Sequence, residues 1–229
     1  MKPGTIACAL WLAGLLCLPS FAGAQSARPS TGTLPSVIPI FPLPDVVLFP
    51  DVDLPLMIFE PRYRAMVADA LKGDAMIGMV LLRAGYEADY EGRPPIHAIG
   101  CAGKITKSEL LPDGRYLIEL RGLVKFRVAS EDQSQPYRLA RVEAMPEVAN
   151  GNETAELSKL RLRLDSLLAA SIPPDSGILS LPDEEFVNGL SQNLGLEPIE
   201  RQDLLEMKGA LPRAQALIEW LEMRVGPLR

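Results

Sequence analysis

Histidine and cysteine are nearly missing from this sequence, and so is any excess of basic charge. His97 is the single histidine among 229 residues, so chemistry that needs an imidazole base has one place to look. Of the three cysteines, Cys8 and Cys17 fall within the first 24 residues and Cys101 stands alone beyond them, which excludes an internal disulfide framework in the rest of the chain. Of the 23 basic and 29 acidic side chains only Lys2 lies in those first residues, and the remainder carries a formal charge of −7. A chain of that sign offers phosphate backbones and anionic lipid no overall cationic field, so no nucleic-acid partner is expected. An apolar run does open the chain, but residues 6–18 are 13 in number, against the roughly 20 needed to cross the hydrocarbon core.

That opening has the parts of an export signal. Lys2 supplies a positive start, the apolar run follows, and Ala22-Gly23-Ala24 matches the small-x-small pattern of signal peptidase. Residues 1–24 therefore read as a secretory signal peptide cut between Ala24 and Gln25, with no stable membrane insertion after cleavage. Leu16, not a small residue, precedes Cys17, so a lipid anchor is not expected. No methionine lies between Met1 and Met57, and a start at Met57 would delete the first strands, so the expected location is periplasmic or secreted; cytoplasm follows only if the start is misassigned. Residues 25–36, rich in Ser, Thr, Pro and Gly, read as a flexible leader.

From residue 37 the apolar pattern has a period of two. Residues 37–61 mix β-branched and aromatic side chains with Pro39, Pro42, Pro44, Pro50, Pro55 and Pro61, a density that forbids a helix and predicts short strands confined to edges or bulges. Pro61 suits the first turn of a helix, on which Tyr63, Met66, Val67, Ala70 and Leu71 share a face before Gly73. Residues 76–82 read as a buried strand, and 85–95 as an exposed loop. Pro112-Asp113-Gly114 predicts a hairpin between strands at 103–111 and 115–120. Beyond Gly122 the alternation sets Val124, Phe126 and Val128 opposite Lys125 and Arg127, and a last strand is expected at 137–144. Residues 37–146 thus form a β-rich subdomain holding one helix.

After residue 150 the period lengthens to about three and a half. Leu157, Leu160, Leu164, Leu167 and Leu168 line a helix starting near Asn152 with Glu153 and Glu156 in its first turn. A second helix follows Ser180-Leu181-Pro182-Asp183 with a stripe of Phe186, Val187, Leu190 and Leu194, a third runs from Pro198 to about Lys208, and a fourth places Ala214, Leu217, Ile218, Leu221 and Val225 on one face before Gly226-Pro227. Residues 150–226 form a helical subdomain, and its stripes read as packing faces. The fold class is α+β.

Ile38-Pro39-Ile40-Phe41-Pro42-Leu43-Pro44, then Val47-Leu48-Phe49-Pro50, then Leu54-Pro55-Leu56-Met57-Ile58-Phe59-Glu60-Pro61-Arg62-Tyr63-Arg64 resemble the opening signature of the N-terminal substrate-binding domain of Lon proteases, a domain also found in small stand-alone bacterial proteins. Gly100-Cys101-Ala102-Gly103-Lys104-Ile105, Leu111 to Tyr116, Leu120-Arg121-Gly122, Phe126-Arg127-Val128 and Glu200 to Glu206 resemble its later parts, so the likeness covers roughly residues 37–224. It implies a PUA-like β-pseudobarrel with one inserted helix and a helical bundle behind it, and recognition of unfolded or peptide segments. It does not imply catalysis, which in Lon belongs to later domains. The signal peptide departs from the stand-alone members, which usually begin close to the first motif.

No residue is assigned a catalytic, cofactor-binding or metal-binding role. Gly100-Cys101-Ala102-Gly103-Lys104-Ile105 lacks the spacing and the final hydroxyl of a G-x-x-x-x-G-K-[ST] phosphate loop, and 229 residues filled by the binding domain leave no room for Lon's serine–lysine dyad. His97 reads as a loop or strand-edge histidine. Cys101, four residues on along an extended chain, would sit about 13 Å away, and one Cys with one His is half a zinc shell. Asp45, Asp51 and Asp53, and Glu87, Asp89 and Glu91, lack the glycine-centred loop of a calcium site and read as solvated turns. Glu60, Pro61, Arg62, Tyr63 and Arg64 stand where strand meets helix, a place that more often fixes the fold through capping and a buried ion pair than touches a ligand.

The function expected is a non-catalytic module binding polypeptide, an exported adaptor or holdase without cofactor, with polypeptide segments or a partner protein as ligands. An ATP-independent peptidase or hydrolase, and a structural subunit of an envelope complex, remain the alternatives. Mass spectrometry of the protein recovered from fractionated cells is expected to find Gln25 as the first residue; a chain that keeps residues 1–24 in the cytosolic fraction would remove the export reading.

Overall fold

Residues 34–86, 92–132, 134–169, 171–172 and 177–225 are described by the computed structural model. The expected signal peptide with Ala24 and Gln25, the acidic loop residues Glu87, Asp89 and Glu91, and the Gly226-Pro227 stop lie outside them. Six strands come first, β1 (Val37–Leu43), β2 (Asp53–Ile58), β3 (Met76–Leu81), β4 (Ile99–Leu110), β5 (Tyr116–Asp132) and β6 (Arg138–Met145), with helix α1 (Pro61–Ala70) between β2 and β3. Helices α2 (Gly151–Leu168), α3 (Asp183–Asn193), α4 (Pro198–Glu206) and α5 (Ala210–Val225) follow, with a 3-10 turn at Ile178–Ser180.

The strands pair in the order β2-β5-β4-β3-β1-β6, and β6 pairs again with β5, so five strands close on themselves and β2 is left as an added edge. All pairings are antiparallel except β1 with β3. Parallel neighbours need a long crossover, and residues 44–75, containing β2 and α1, supply it. Closure requires strong coiling, which the register shifts at Ala102/Gly103 and Ile105/Lys107 of β4 and at Val128/Ser130 of β5 allow. Ile38, Ile40, Val80, Ala102, Phe126, Ala140 and Val142 fill the barrel. The Phe126 ring fits because Gly78 and Gly100 flank it: a Cβ built on either would come within 2.9 Å of that ring, and one on Gly100 within 2.2 Å of the Met79 carbonyl oxygen.

Three expectations need correction. Prolines were to confine strands to edges, yet β1, which holds Pro39 and Pro42, lies inside the sheet. Its first half pairs only with β6 (Val37–Ile40) and its second half only with β3 (Ile40–Leu43), so neither proline is flanked by strands on both sides and each missing N–H falls on an open side. Leu71, expected on the buried face of α1, is exposed, because the helix ends at Ala70. Lys125, expected to face solvent, is only 2% exposed, because the second half of β5 runs beneath the helices.

The helices begin as their sequences direct. Asn150 caps α2, its side chain accepting from the Asn152 and Glu153 N–H groups while Glu153 accepts from the Asn150 N–H. The helix starts one residue before Asn152, and Glu156 lies beyond the first turn, paired with Lys159 at 2.7 Å. Arg161 interrupts the leucine stripe: it lies buried over the Phe186 ring at 3.6 Å, pairs with Asp165 at 3.0 Å and donates to the Leu179 and Leu181 carbonyls.

Barrel and bundle share one large apolar core and a set of buried polar ties. The Phe49 N–H donates to Gln192 Oε1 (3.0 Å), Asn188 Nδ2 to the Pro50 carbonyl (3.1 Å) and Gln202 Nε2 to the Ile99 carbonyl (3.0 Å). At the centre Arg213, fully buried, donates from both terminal nitrogens to Glu147 (2.8 and 2.6 Å) and from Nη1 to Asn188 Oδ1 (2.8 Å). Lys125 Nζ reaches the same Glu147 carboxylate and donates to the Leu205 and Met207 carbonyls. One carboxylate thus faces two cations, and the C-terminal carbonyls of α4, which carry partial negative charge, supply the balance. Burial opposes the charge on Glu147, but the hydrogen bonds and charges of Arg213 and Lys125 outweigh it and hold the carboxyl below its ordinary range; burial likewise pushes Lys125 down, partly offset by Glu147.

Glu147→Gln leaves two buried cations short of a counter-charge, and urea unfolding at pH 7 is expected to show a loss of about 3 to 5 kcal/mol. Because the folded carboxyl is held low, its contribution is present at neutral pH and disappears as pH falls below about 4.3 and through the folded value. The gap between wild type and variant should therefore narrow near pH 3; an equal penalty at both pH values would show that charge is not what Glu147 contributes.

Candidate functional site

The strand-to-helix junction at residues 60–64 distributes its side chains to different tasks. Glu60 is the N-cap residue of α1 but makes no side-chain cap; its carboxylate takes Arg62 Nε at 2.9 Å in a pair that is partly exposed rather than buried. Pro61 begins the helix. Arg62 stacks over the Tyr63 ring at 4.6 Å, and the buried Tyr63 ring meets Phe41 of β1 at 4.4 Å. Arg64 turns to the β4–β5 hairpin, where its guanidinium fills the space a Cβ on Gly114 (φ 82°) would need.

Arg62 and Tyr63 form one wall of a cleft of about 260 Å³ whose other walls are Pro42 at the end of β1, Leu82, the Gly92-Arg93-Pro94 segment and the Pro136-Tyr137-Arg138 segment. Prolines and tyrosine rings give it rigid apolar sides, and three guanidiniums give it a positive lining. Arg138, buried, pairs with Glu131 at 3.1 Å and donates to the Pro94 carbonyl at 2.7 Å. Arg93, exposed at the rim, donates to the Asp132 and Gln135 carbonyls, both at 3.3 Å. Tyr137 Oη donates to Asp69 at 3.0 Å; burial first, and that carboxylate second, push the phenol up to about 12, so it stays a neutral donor.

A second surface surrounds β2, whose backbone pairs with β5 on one side and, among the described residues, with no strand on the other. Met57, Phe59 and Leu117 are exposed here, Phe59 by 62%. Met57 and Leu117 are cross-strand partners on one face of the sheet, whereas Leu110, opposite Tyr116, lies on the other face. Charged pairs border the patch, Lys107 with Glu119 (3.0 Å) and Arg121 with Asp53 (3.0 Å) and Glu185 (2.8 Å).

The two residues weighed as a dyad go separate ways. His97 precedes β4, its Nδ1 3.8 Å from Glu206 Oε1, whereas Cys101 lies wholly buried within β4 with Sγ directed to the Ala102 carbonyl. Burial pushes the Cys101 thiol up to about 12. Among the described acidic residues, Asp51 sits in a left-handed turn (φ 61°) and Asp53 pairs with Arg121; no group of three or more His, Cys, Asp or Glu among the described residues could hold a metal ion.

A closed five-strand barrel with an added edge strand, backed by helices, is an α+β domain of the Lon N-terminal type. The N-terminal domain of a Mycobacterium avium complex Lon protease shares it with a TM-score of 0.63 at 18% identity, over 81% of this chain and 97% of that one, and a Lon N-terminal domain protein from Xanthomonas campestris with 0.56 at 23%, over 81% and 99%. The ATP-dependent protease La (LON) substrate-binding domain matches residues 37–223, and the chain belongs to that family. The Lon protease of Cytophaga hutchinsonii is 28% identical over 214 residues, covering 90% of this chain and 26% of the relative; Lon protease 2 of Syntrophobacter fumaroxidans is 31% identical over 192 residues, covering 81% and 24%. The chain therefore spans about a quarter of the length of these relatives, and what it matches is their substrate-binding part.

A buried thiol with so high a pKa is a poor nucleophile. Iodoacetamide at pH 8 is expected to leave Cys101 unmodified in the native protein and to alkylate it fully in denaturing guanidinium; rapid labelling of the native protein would mark it as a reactive group.

Proposed function

We propose that this protein is a non-catalytic binder of unfolded or extended polypeptide, and that it works as an exported adaptor or holdase. The family match supports the coarse reading, and one structural observation supports the binding of extended polypeptide: the open edge of β2 lies beside exposed Met57, Phe59 and Leu117. An extended segment laid along that edge gains main-chain hydrogen bonds from β2 and apolar burial from the flanking side chains. Pro55 removes one donor from the strand, which limits the length of pairing and makes side-chain contact the larger source of affinity. A compartment outside the cytosol supplies no ATP, so binding and release there rest on equilibrium alone.

Fluorescence anisotropy with reduced, unfolded casein tests this. Phe59→Ser combined with Met57→Ser is expected to weaken binding roughly 10-fold, about 1.4 kcal/mol, without lowering the unfolding midpoint, since both side chains are exposed. Unchanged affinity would remove the β2 edge from the site. Casein turnover that survives purification and vanishes in a point variant would replace the reading with a peptidase, and a crosslinked pull-down giving one stoichiometric partner would favour a structural subunit.

A further inference from the structure

The guanidinium-lined cleft is distinct from the β2 edge, and its three arginines are held differently. Arg62 is paired with Glu60 and Arg138 with Glu131. Arg93, by contrast, donates to the Asp132 and Gln135 carbonyls, and among the described residues no carboxylate forms an ion pair with it. The nearby Asp132 carboxylate takes the Ser134 N–H at 2.7 Å and feels Arg93 only through space. Of the three guanidiniums lining the cleft, Arg93 is the one that no carboxylate of the described residues holds in an ion pair. The cavity, about 260 Å³, lies below the roughly 300 to 1,000 Å³ of sites for drug-sized ligands, which suits a single amino-acid residue and not a nucleotide. Pro42, Leu82, Pro94 and Pro136 give an apolar wall for such a residue, and a planar guanidinium fork at the rim is the geometry that recognises a carboxylate.

We propose that this cleft holds a carboxylate-bearing residue of a bound polypeptide, with Arg93 as the group that receives the charge and Arg62 and Arg138 reinforcing it. The polypeptide nature of the occupant rests on the function proposed above; the preference for a carboxylate rests on the cleft itself. The residue is either a chain's C-terminal residue or an internal Glu or Asp, since both present the same anion.

Three short probes separate these sources: N-acetyl-Leu-Leu with a free C-terminus, the same dipeptide as its C-terminal amide, and N-acetyl-Glu-Leu amide, whose only carboxylate is on the side chain. The side-chain Nε–H resonance of Arg93 in the purified protein reports binding. At least one of the two acids is expected to shift that resonance saturably while the uncharged amide does not, the tighter acid identifying the source. Arg93→Gln, at an exposed position, should weaken the acid at least fivefold, read from backbone amides of Tyr137 and Arg138, with an unchanged unfolding midpoint. Equal binding of acid and amide, no saturable shift with either acid, no effect of Arg93→Gln, or tighter binding of inorganic phosphate than of either acid would each overturn the assignment. These probes are too short to pair along β2, so loss of casein binding in the Phe59 variant and loss of acid binding in the Arg93 variant report on separate surfaces.

Discussion

The contact on which the rest of the molecule depends is the meeting of Glu147, just past the last strand, with Arg213 of α5 and Lys125 of β5. Charges buried this deeply are costly unless every donor finds an acceptor, and here the acceptors come from both halves of the chain: the carboxylate from beyond β6, the amide of Asn188 from α3, the carbonyls of Leu204, Leu205 and Met207 from the end of α4. Apolar contacts alone would let barrel and bundle slide against each other. A bidentate Arg–carboxylate pair fixes distance and orientation together, and the carbonyls around Lys125 are satisfied only if α4 ends where it does.

With the two parts fixed, the barrel's topology decides where surfaces are left for ligands. Closure occupies five strands and sets β2 outside the ring, so among the described residues β2 pairs with a strand on one side alone. The crossover that leads from β2 to β3 passes through α1, whose first turn contributes Arg62 and Tyr63 to the cleft and Arg64 to the hairpin. One short stretch, residues 57–64, therefore takes part in both surfaces: Met57 and Phe59 on the apolar side, Arg62 and Tyr63 on the charged side.

Much of this was legible in the amino-acid order because it is local. Pro61 and the face of Tyr63, Met66, Val67 and Ala70 announce α1; Pro112-Asp113-Gly114 announces the hairpin; the leucine stripe from Leu157 to Leu168 announces α2. The ordered motifs placed the chain in its family, and with it the barrel. The remainder is not local. Lys125 looks solvent-facing by alternation and is buried because helices far along the chain cover it; Arg161 and Arg213 look like surface arginines and are buried because carbonyls and carboxylates from other elements reach them. The cleft draws on five separated segments, around residues 42, 62, 82, 93 and 137, and no pattern within any one of them announces the other four. Its one early signal was the pair Arg62 and Tyr63, which the junction motif already contained.

The pairing of β1 with β6 joins positions about a hundred residues apart, Val37 to Arg141 at one end. A chain that emerges amino-terminus first therefore carries its opening strand unsealed until β6 exists, and the clasp at Arg213 comes later still. During that interval β1 is the piece most open to capture by a foreign strand. Pro39 and Pro42 withhold donors on both of its flanks, so the same residues that fit the finished seam also keep the unfinished one from recruiting the wrong neighbour.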